Sequence, residues 1–346
     1  MRKIPYLFYS VCLLFVGQVI AQGNRQPFGV NLCGAEFGLN HLPGTFGKDY
    51  IYPDNTCLNY YAQKGIKLIS LPFKWERIQP ELNKPLNTAE LNRLLQFITN
   101  CNKDGMQVLL TLQNFGRYSK NGVEYVLGSA QVSRKSFQDL WLRIATVLKD
   151  KKNIYGYDVM NEPHDMLPSC PWHVLAQDAI DAIRTVDELP AIFINGNSYA
   201  NSEKWYENNV GLIDLFDPSD KIIYEAHCYF DKDYSGRYIA TCGDDFRVYD
   251  ECEATEYTGI DMVRPFVDWL EKYHKKGFVG EYGVPNKDER WLVVLENFLN
   301  FLRHNKVNGT YWAGGPWWHD YKLSVEPKNG KDTPQMKVVE KFKYTN

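Results

Sequence analysis

Apolar positions along the chain follow two rhythms. Short runs rich in β-branched and aromatic residues recur at 28–37, 67–73, 107–113, 155–161, 191–195, 222–229, 278–282 and 310–314, many of them bounded by Gly or Pro. Longer stretches between them repeat with helical period. Leu91, Leu94, Leu95 and Ile98 share a face within 88–103, as do Phe137, Leu140, Trp141, Ile144 and Leu148 within 136–149. Further amphipathic stretches at 172–185, 262–274 and 291–303 end in basic residues, which suit the negative end of a helix dipole. Strands alternating with helices predict a parallel sheet with crossover helices. Eight strands predict that the sheet closes, giving an α/β chain with a single (β/α)8 TIM-barrel domain over 22–346. A doubly wound open sheet usually carries a Gly-rich phosphate turn after an early strand, and none is evident here.

The first residues have a different pattern. Arg2 and Lys3 precede an apolar stretch over 7–19, and Val19-Ile20-Ala21 forms a small-residue exit before Gln22, which reads as an export leader over 1–21. Ser10 and Gln18 interrupt the stretch, which is shorter than the roughly 20 apolar residues a membrane span needs. The expected product is therefore secreted or periplasmic, without a membrane span and acting as a monomer. Net charge is −3, from 39 Lys+Arg against 42 Asp+Glu, so nothing favours nucleic acid or an anionic membrane. The 9 Trp and 23 Tyr suit a neutral partner with flat apolar faces, as pyranose rings have. With Cys12 in the leader, seven of the 8 cysteines remain, so at least one thiol is unpaired. Cys242 and Cys252 flank a polar loop that a short disulfide would restrain. No cysteine or histidine spacing suggests a metal, and no cofactor is expected.

The fourth run continues into Asp158-Val159-Met160-Asn161-Glu162-Pro163 and the seventh ends Gly280-Glu281-Tyr282-Gly283. In a barrel both glutamates reach the mouth formed by the C-terminal strand ends, where barrel enzymes do their chemistry. Glycosidic cleavage needs such a pair: one carboxyl protonates the leaving oxygen while the other attacks or stabilises the anomeric carbon. The division of labour requires an acid held protonated by desolvation or crowding and a partner held ionised.

Five segments carry a family resemblance: Asn114-Phe115-Gly116-Arg117-Tyr118, Met160 to Asp165, Glu225-Ala226-His227-Cys228-Tyr229, Gly280 to Gly283, and Trp312-Ala313-Gly314-Gly315-Pro316-Trp317-Trp318. In that order the chain resembles glycoside hydrolase family five, in particular its cellulase-like endo-β-1,4-glucanases. The resemblance implies a retaining hydrolase of a β-linked polysaccharide or oligosaccharide, with Glu162 as acid/base and Glu281 as nucleophile, roles that require Glu162 to stay protonated in a more desolvated or anion-crowded setting while Glu281 stays ionised. It further implies substrate contacts from Asn114, Asn161, His227, Tyr229, Trp312 and Trp317. Two positions depart from the family: Ser70, before Pro72-Phe73, stands where it has Arg, and Gln113 where it commonly has His. Lys74 and Arg117 are the candidate replacements for the lost charge. The departures keep open another β-glycan as substrate, such as xyloglucan, mannan or a decorated oligosaccharide. A sugar-binding protein on an impaired hydrolase scaffold is the alternative of a different class.

Overall fold

The structure, a computed structural model, describes residues 28–239 and 247–343. The leader expected over 1–21 and Cys242 of the expected bridge lie outside the described residues. Within them the thiols of Cys33, Cys57, Cys101, Cys170 and Cys228 are free and buried.

Eight parallel strands close a barrel: β1 (Gly29–Leu32), β2 (Leu68–Phe73), β3 (Gln107–Leu112), β6 (Ile154–Asp158), β7 (Ala191–Asn195), β8 (Ile222–His227), β9 (Gly277–Glu281) and β10 (Asn308–Gly314). Each matches one of the eight expected runs. Between β3 and β6 the chain adds a hairpin, β4 (Arg117–Lys120) and β5 (Val123–Val126), that the sequence reading did not anticipate. Its turn signal was present: Asn121 and Gly122 both adopt positive φ, the backbone that Asn-Gly supplies most easily.

The crossover helices include α1 (Asn55–Gln63), α3 (Thr88–Lys103), α4 (Arg134–Leu148), α5 (Trp172–Arg184), α8 (Thr258–Lys272), α9 (Arg290–His304) and α10 (Pro334–Val339), with one-turn helices α2 (Trp75–Ile78), α6 (Trp205–Asn208) and α7 (Val248–Glu251) in the loops. Local chemistry sets their starts. Asn87 accepts a hydrogen bond from Glu90 N and Ser133 one from Ser136 N, satisfying amides that the first helical turn leaves open. The apolar stripes then pack on the sheet, with Leu94 and Ile98 of α3 and Phe137, Leu140 and Trp141 of α4 buried. No described helix is long and apolar enough to cross a membrane.

Strand periodicity also grades the barrel interior. Leu68, Leu109, Phe193, Ile223 and Phe278 form an apolar cluster of their own. Two residues further along their strands stand Ser70, Thr111, Asn195, Glu225 and Gly280, which share those faces. The interior thus passes from an apolar floor to a polar layer below the mouth. Ser70 Oγ lies 3.1 Å from Thr111 Oγ1, and Thr310 Oγ1 donates to Gly280 O at 2.7 Å.

At the opposite end, Arg184 of α5 makes a buried bidentate pair with Asp217, at 2.7 and 2.9 Å, and also donates to Asp187 O and Pro190 O. Removing one member leaves the other charge buried and unpaired. Arg184→Ala is expected to lower unfolding free energy by about 3–5 kcal/mol, read by denaturant melts, while kcat of the folded fraction stays at the wild-type value. A loss of kcat without loss of stability would contradict this assignment.

Candidate active site

The register of β8 and β9 sets His227 opposite Glu281, with a bulge between Ala226 and His227. On the other side of the imidazole, β6 ends at Asp158 and the chain continues irregularly to Glu162, whose φ is 47°. A left-handed backbone costs a non-glycine residue roughly 1–2 kcal/mol. Asn195 at the end of β7 helps hold it: its Oδ1 accepts from Glu162 N at 3.1 Å, and its Nδ2 donates to Asp158 Oδ1 at 3.0 Å.

His227 joins the two glutamates. Nδ1 lies 2.7 Å from Glu162 Oε1 and 3.6 Å from Glu281 Oε2. The imidazole nitrogen and one oxygen of each carboxylate all fall within 4.8 Å of one another, a spacing that would also accommodate a divalent cation. Tyr229 lies beyond the end of β8, yet its hydroxyl donates to Glu281 Oε2 at 2.7 Å. Gln113 Nε2 approaches Glu281 Oε1 at 3.5 Å, a weak contact.

Burial dominates the electrostatics. Desolvation and the nearby Glu162 charge raise Glu281 to about 7, against the pull of His227, Tyr229 and Gln113. For His227, burial alone would favour the neutral ring, but the Glu281 charge and its contacts with Glu162 and Glu225 outweigh it and hold the imidazolium well above its ordinary range. Tyr229 is pushed up by burial and the same carboxylates, so it stays a phenol donor. Of the two settings that would keep Glu162 protonated, desolvation relative to Glu281 is not the one found. Glu281 has the more buried side chain, 8% exposed against 18% for Glu162, because it ends a strand inside the barrel while Glu162 stands past a strand end.

Asn161 is buried, and its Nδ2 has no acceptor among the described residues. Trp312 is half-buried, meets Trp318 edge to face at 5.9 Å, and follows the strand to a cis peptide with Ala313. Trp318 is fixed by stacking on Tyr321 and by donating to Gly314 O; Trp317 beside it is half-buried.

Asn114 is not brought into this group. Its Oδ1 accepts from Trp75 N, and its Nδ2 donates to Glu76 Oε2 and Arg117 O, so its amide ties a loop together and both of its N–H donors are engaged. The candidate replacement charges do not arrive either. Lys74 Nζ donates to Gln113 O and sits over the Phe115 ring, while Arg117 donates to Phe115 O and His164 O. The sequence reading also missed Asn195, a polar residue closing an apolar run, and an exposed stack of Tyr199 on His164, centroids 4.0 Å apart, beside Glu162.

A family model described as Cellulase (glycosyl hydrolase family 5) matches residues 28–317. The chain is 34% identical over 307 residues to endo-beta-1,4-glucanase B of Emericella nidulans, covering 88% of this chain and 87% of that protein. Among solved structures it is similar to Pseudomonas stutzeri endoglucanase Cel5A in complex with cellobiose, with TM-score 0.83 and 37% identity over 92% of each chain. XacCel5A in complex with cellopentaose gives TM-score 0.80 and 35% identity, over 91% of this chain and 98% of that one.

The raised Glu281 makes stability depend on pH. A carboxyl with a folded pKa near 7 and an ordinary value of 4.5 contributes stability that is fully present below 4.5 and lost as pH rises through 7. The loss by pH 8 is at most about 3 kcal/mol. Glu281→Gln, which cannot ionise, should melt above the wild type at pH 8, with the gain shrinking towards pH 5. Melting shifts that are equal at both pH values would contradict the burial of this charge.

Proposed function

Because the chain belongs to glycosyl hydrolase family 5, we propose that it is a retaining endo-β-1,4-glucanase acting on a cellulose-like glucan, with Glu281 as nucleophile and Glu162 as acid/base. The names of its relatives support the substrate. The observation that carries the chemistry is the closeness of the two carboxylates, within 4.8 Å oxygen to oxygen. Inverting enzymes hold their carboxyl groups about 6.5–9.5 Å apart to admit water between acid and sugar, whereas retaining enzymes hold them at about 5–5.5 Å.

In the first step Glu281 attacks the anomeric carbon while Glu162 gives its proton to the departing glycosidic oxygen. The resulting glycosyl ester is then opened by water, whose proton Glu162 takes up, and Glu281 leaves with the configuration retained overall. Tyr229 and His227 orient the nucleophile before attack. The unpartnered Nδ2 of Asn161 suits the sugar 2-hydroxyl, a contact that strengthens as the transition state forms. Trp312 offers a ring for the sugar beside the scissile bond, and Trp317 extends that surface. The leader over 1–21 supports export to the medium or periplasm, where a monomer would meet its glucan.

A second reading keeps the chemistry and changes the sugar. With Ser70 bonded to Thr111, no guanidinium from β2 stands beside Glu281, and Gln113 takes the place of an imidazole. The subsite around the nucleophile is thus reshaped, which favours a β-glycan other than plain glucan. Reducing-sugar release from cellulosic glucan, xyloglucan and mannan decides between the readings. Highest kcat/KM on the cellulosic glucan supports the first, and no release from any of them would overturn both.

Two kinetic outcomes follow. Glu162→Ala should cut turnover of unactivated glucan far more than that of aryl glycosides with good leaving groups, since only the former need a proton on the departing oxygen. Equal losses on both would remove Glu162 from the acid role. The acid limb of kcat/KM should lie near pH 7, where Glu281 ionises. A folded Ser70→Arg variant, checked by an unchanged melting curve, should move that limb to lower pH by restoring a cation near the nucleophile. An unmoved limb would show that Ser70 does not control the ionisation.

A further inference from the structure

Below the catalytic pair lies a second pair of acids that the chemistry above does not use. Glu225, on the same face of β8 as His227, is buried, with Oε1 3.7 Å from His227 Nε2. Asp158 of β6 is also buried, and the Asn195 amide connects it to the backbone of Glu162. Neither His227 Nε2, Glu225 Oε2 nor Asp158 Oδ2 has a hydrogen-bond partner among the described residues. The Nε2 edge of the imidazole thus has the Glu225 carboxylate 3.7 Å away and no hydrogen-bond partner among the described residues.

Room for that carboxylate comes from the residue preceding the nucleophile. A Cβ on Gly280 would fall 1.6 Å from Glu225 Oε1, so only glycine there lets Glu225 lie under the ring. The small residue of the Gly280-Glu281 motif thus serves an acid on the neighbouring strand.

We propose that Glu225 is a positioning residue. Its buried carboxylate under Nε2 keeps a proton on that nitrogen of His227 and so sustains an imidazolium whose Nδ1–H serves Glu162 and Glu281. His227 then supplies, from below and between, the positive charge that Ser70 does not. The proposal rests on the assignment of Glu162 and Glu281 as the reacting groups.

Charge distribution in the acid pair supports this role. Burial, and then the charge of Glu225, raises Asp158 far above a usual carboxyl, whereas Glu225 is raised by burial and eased by His227. Burial thus favours a proton on each acid, while the contact with His227 works in favour of the charge on Glu225. The ionisable groups facing His227 are Glu162 and Asp158 from β6 and its extension, Glu225 from β8 itself and Glu281 from β9.

The test compares Glu225→Gln, which keeps shape and removes charge, with Glu225→Asp, which keeps charge. The readout is kcat/KM against pH on an aryl β-cellobioside. Loss of the anion should weaken the imidazolium, leave Glu281 harder to ionise and move the acid limb of the Gln variant up by about one unit. That shift lowers kcat/KM at pH 6 about tenfold. The Asp variant should keep the limb at the wild-type position. An unmoved limb in a folded Gln variant, or an equal move in both variants, would overturn the proposal.

Since the Gln variant risks misfolding, the wild-type protein provides a second reading. Its 15N-labelled histidine signals, with that of His227 identified by its loss in His227→Gln, should report N–H on both ring nitrogens at pH 6. A bare Nε2 would overturn the proposal even without activity data. Absence of glycosidase turnover in the wild type would instead defeat the assignment of the reacting glutamates and leave the nitrogen signals to be read on their own.

Discussion

Four carboxyl groups in the upper barrel depend on a single imidazole. Asp158, Glu225 and Glu281 are buried, Glu162 borders them, and His227 lies within 3.7 Å of Glu162, Glu225 and Glu281. Removing an ionised carboxylate from water costs several kcal/mol unless a partner compensates. The group resolves this by protonating some of its members. Burial and the Glu225 charge push Asp158 towards its protonated form, the surrounding carboxylates favour the imidazolium of His227, and burial raises Glu281 to about 7. A carboxylate poised there is less masked by solvation than one on the surface, which is the state a nucleophile requires.

The rest of the barrel makes that arrangement sustainable. An apolar floor of Leu68, Leu109, Phe193, Ile223 and Phe278 closes the interior to water from beneath. Above it, the polar layer is bonded within itself, through Ser70 to Thr111, Asn195 to Asp158, and Asn31 Nδ2 to Gly280 O at 2.8 Å. Strand alternation brings both layers to the inside, so five of the strands, β2, β3, β7, β8 and β9, supply a floor residue and, two positions on, a residue of the layer above. Buried charge pairing that serves stability alone lies at the other end, in Arg184 and Asp217. This separation of a chemical face from a stabilising face is characteristic of the barrel architecture.

What could be read from the sequence follows from the range of each interaction. Strand and helix periodicity is local, so all eight strands were anticipated, with errors at their ends. The first ends at Leu32 rather than near 37 because the backbone turns at Gly34, whose φ of 147° suits glycine alone. Glu162, Glu281, His227 and Tyr229 stand at or just past strand ends within recognisable segments, and the structure brings their side chains together. Asn114 also adjoins a strand end, but its amide turns to Trp75 and Glu76, partners that its position in the sequence does not disclose. Glu225 stood inside a quoted segment without a role, since an acid within an apolar run discloses neither its depth nor the glycine on another strand that admits it. The relative burial of Glu162 and Glu281 was not legible in the sequence, because that order depends on where β6 stops.

The account's central claim is that Glu281, not Glu162, attacks the sugar. Trapping with a 2-deoxy-2-fluoro-β-cellobioside bearing a good leaving group, followed by peptide mass spectrometry, tests it directly. The fluorine destabilises the cationic transition states of both steps, and the activated leaving group lets the first step outrun the second, so a retaining enzyme accumulates as its glycosyl ester. The account predicts a single ester on the peptide that contains Glu281. An ester on the peptide that contains Glu162, or turnover without any trapped adduct, would contradict it.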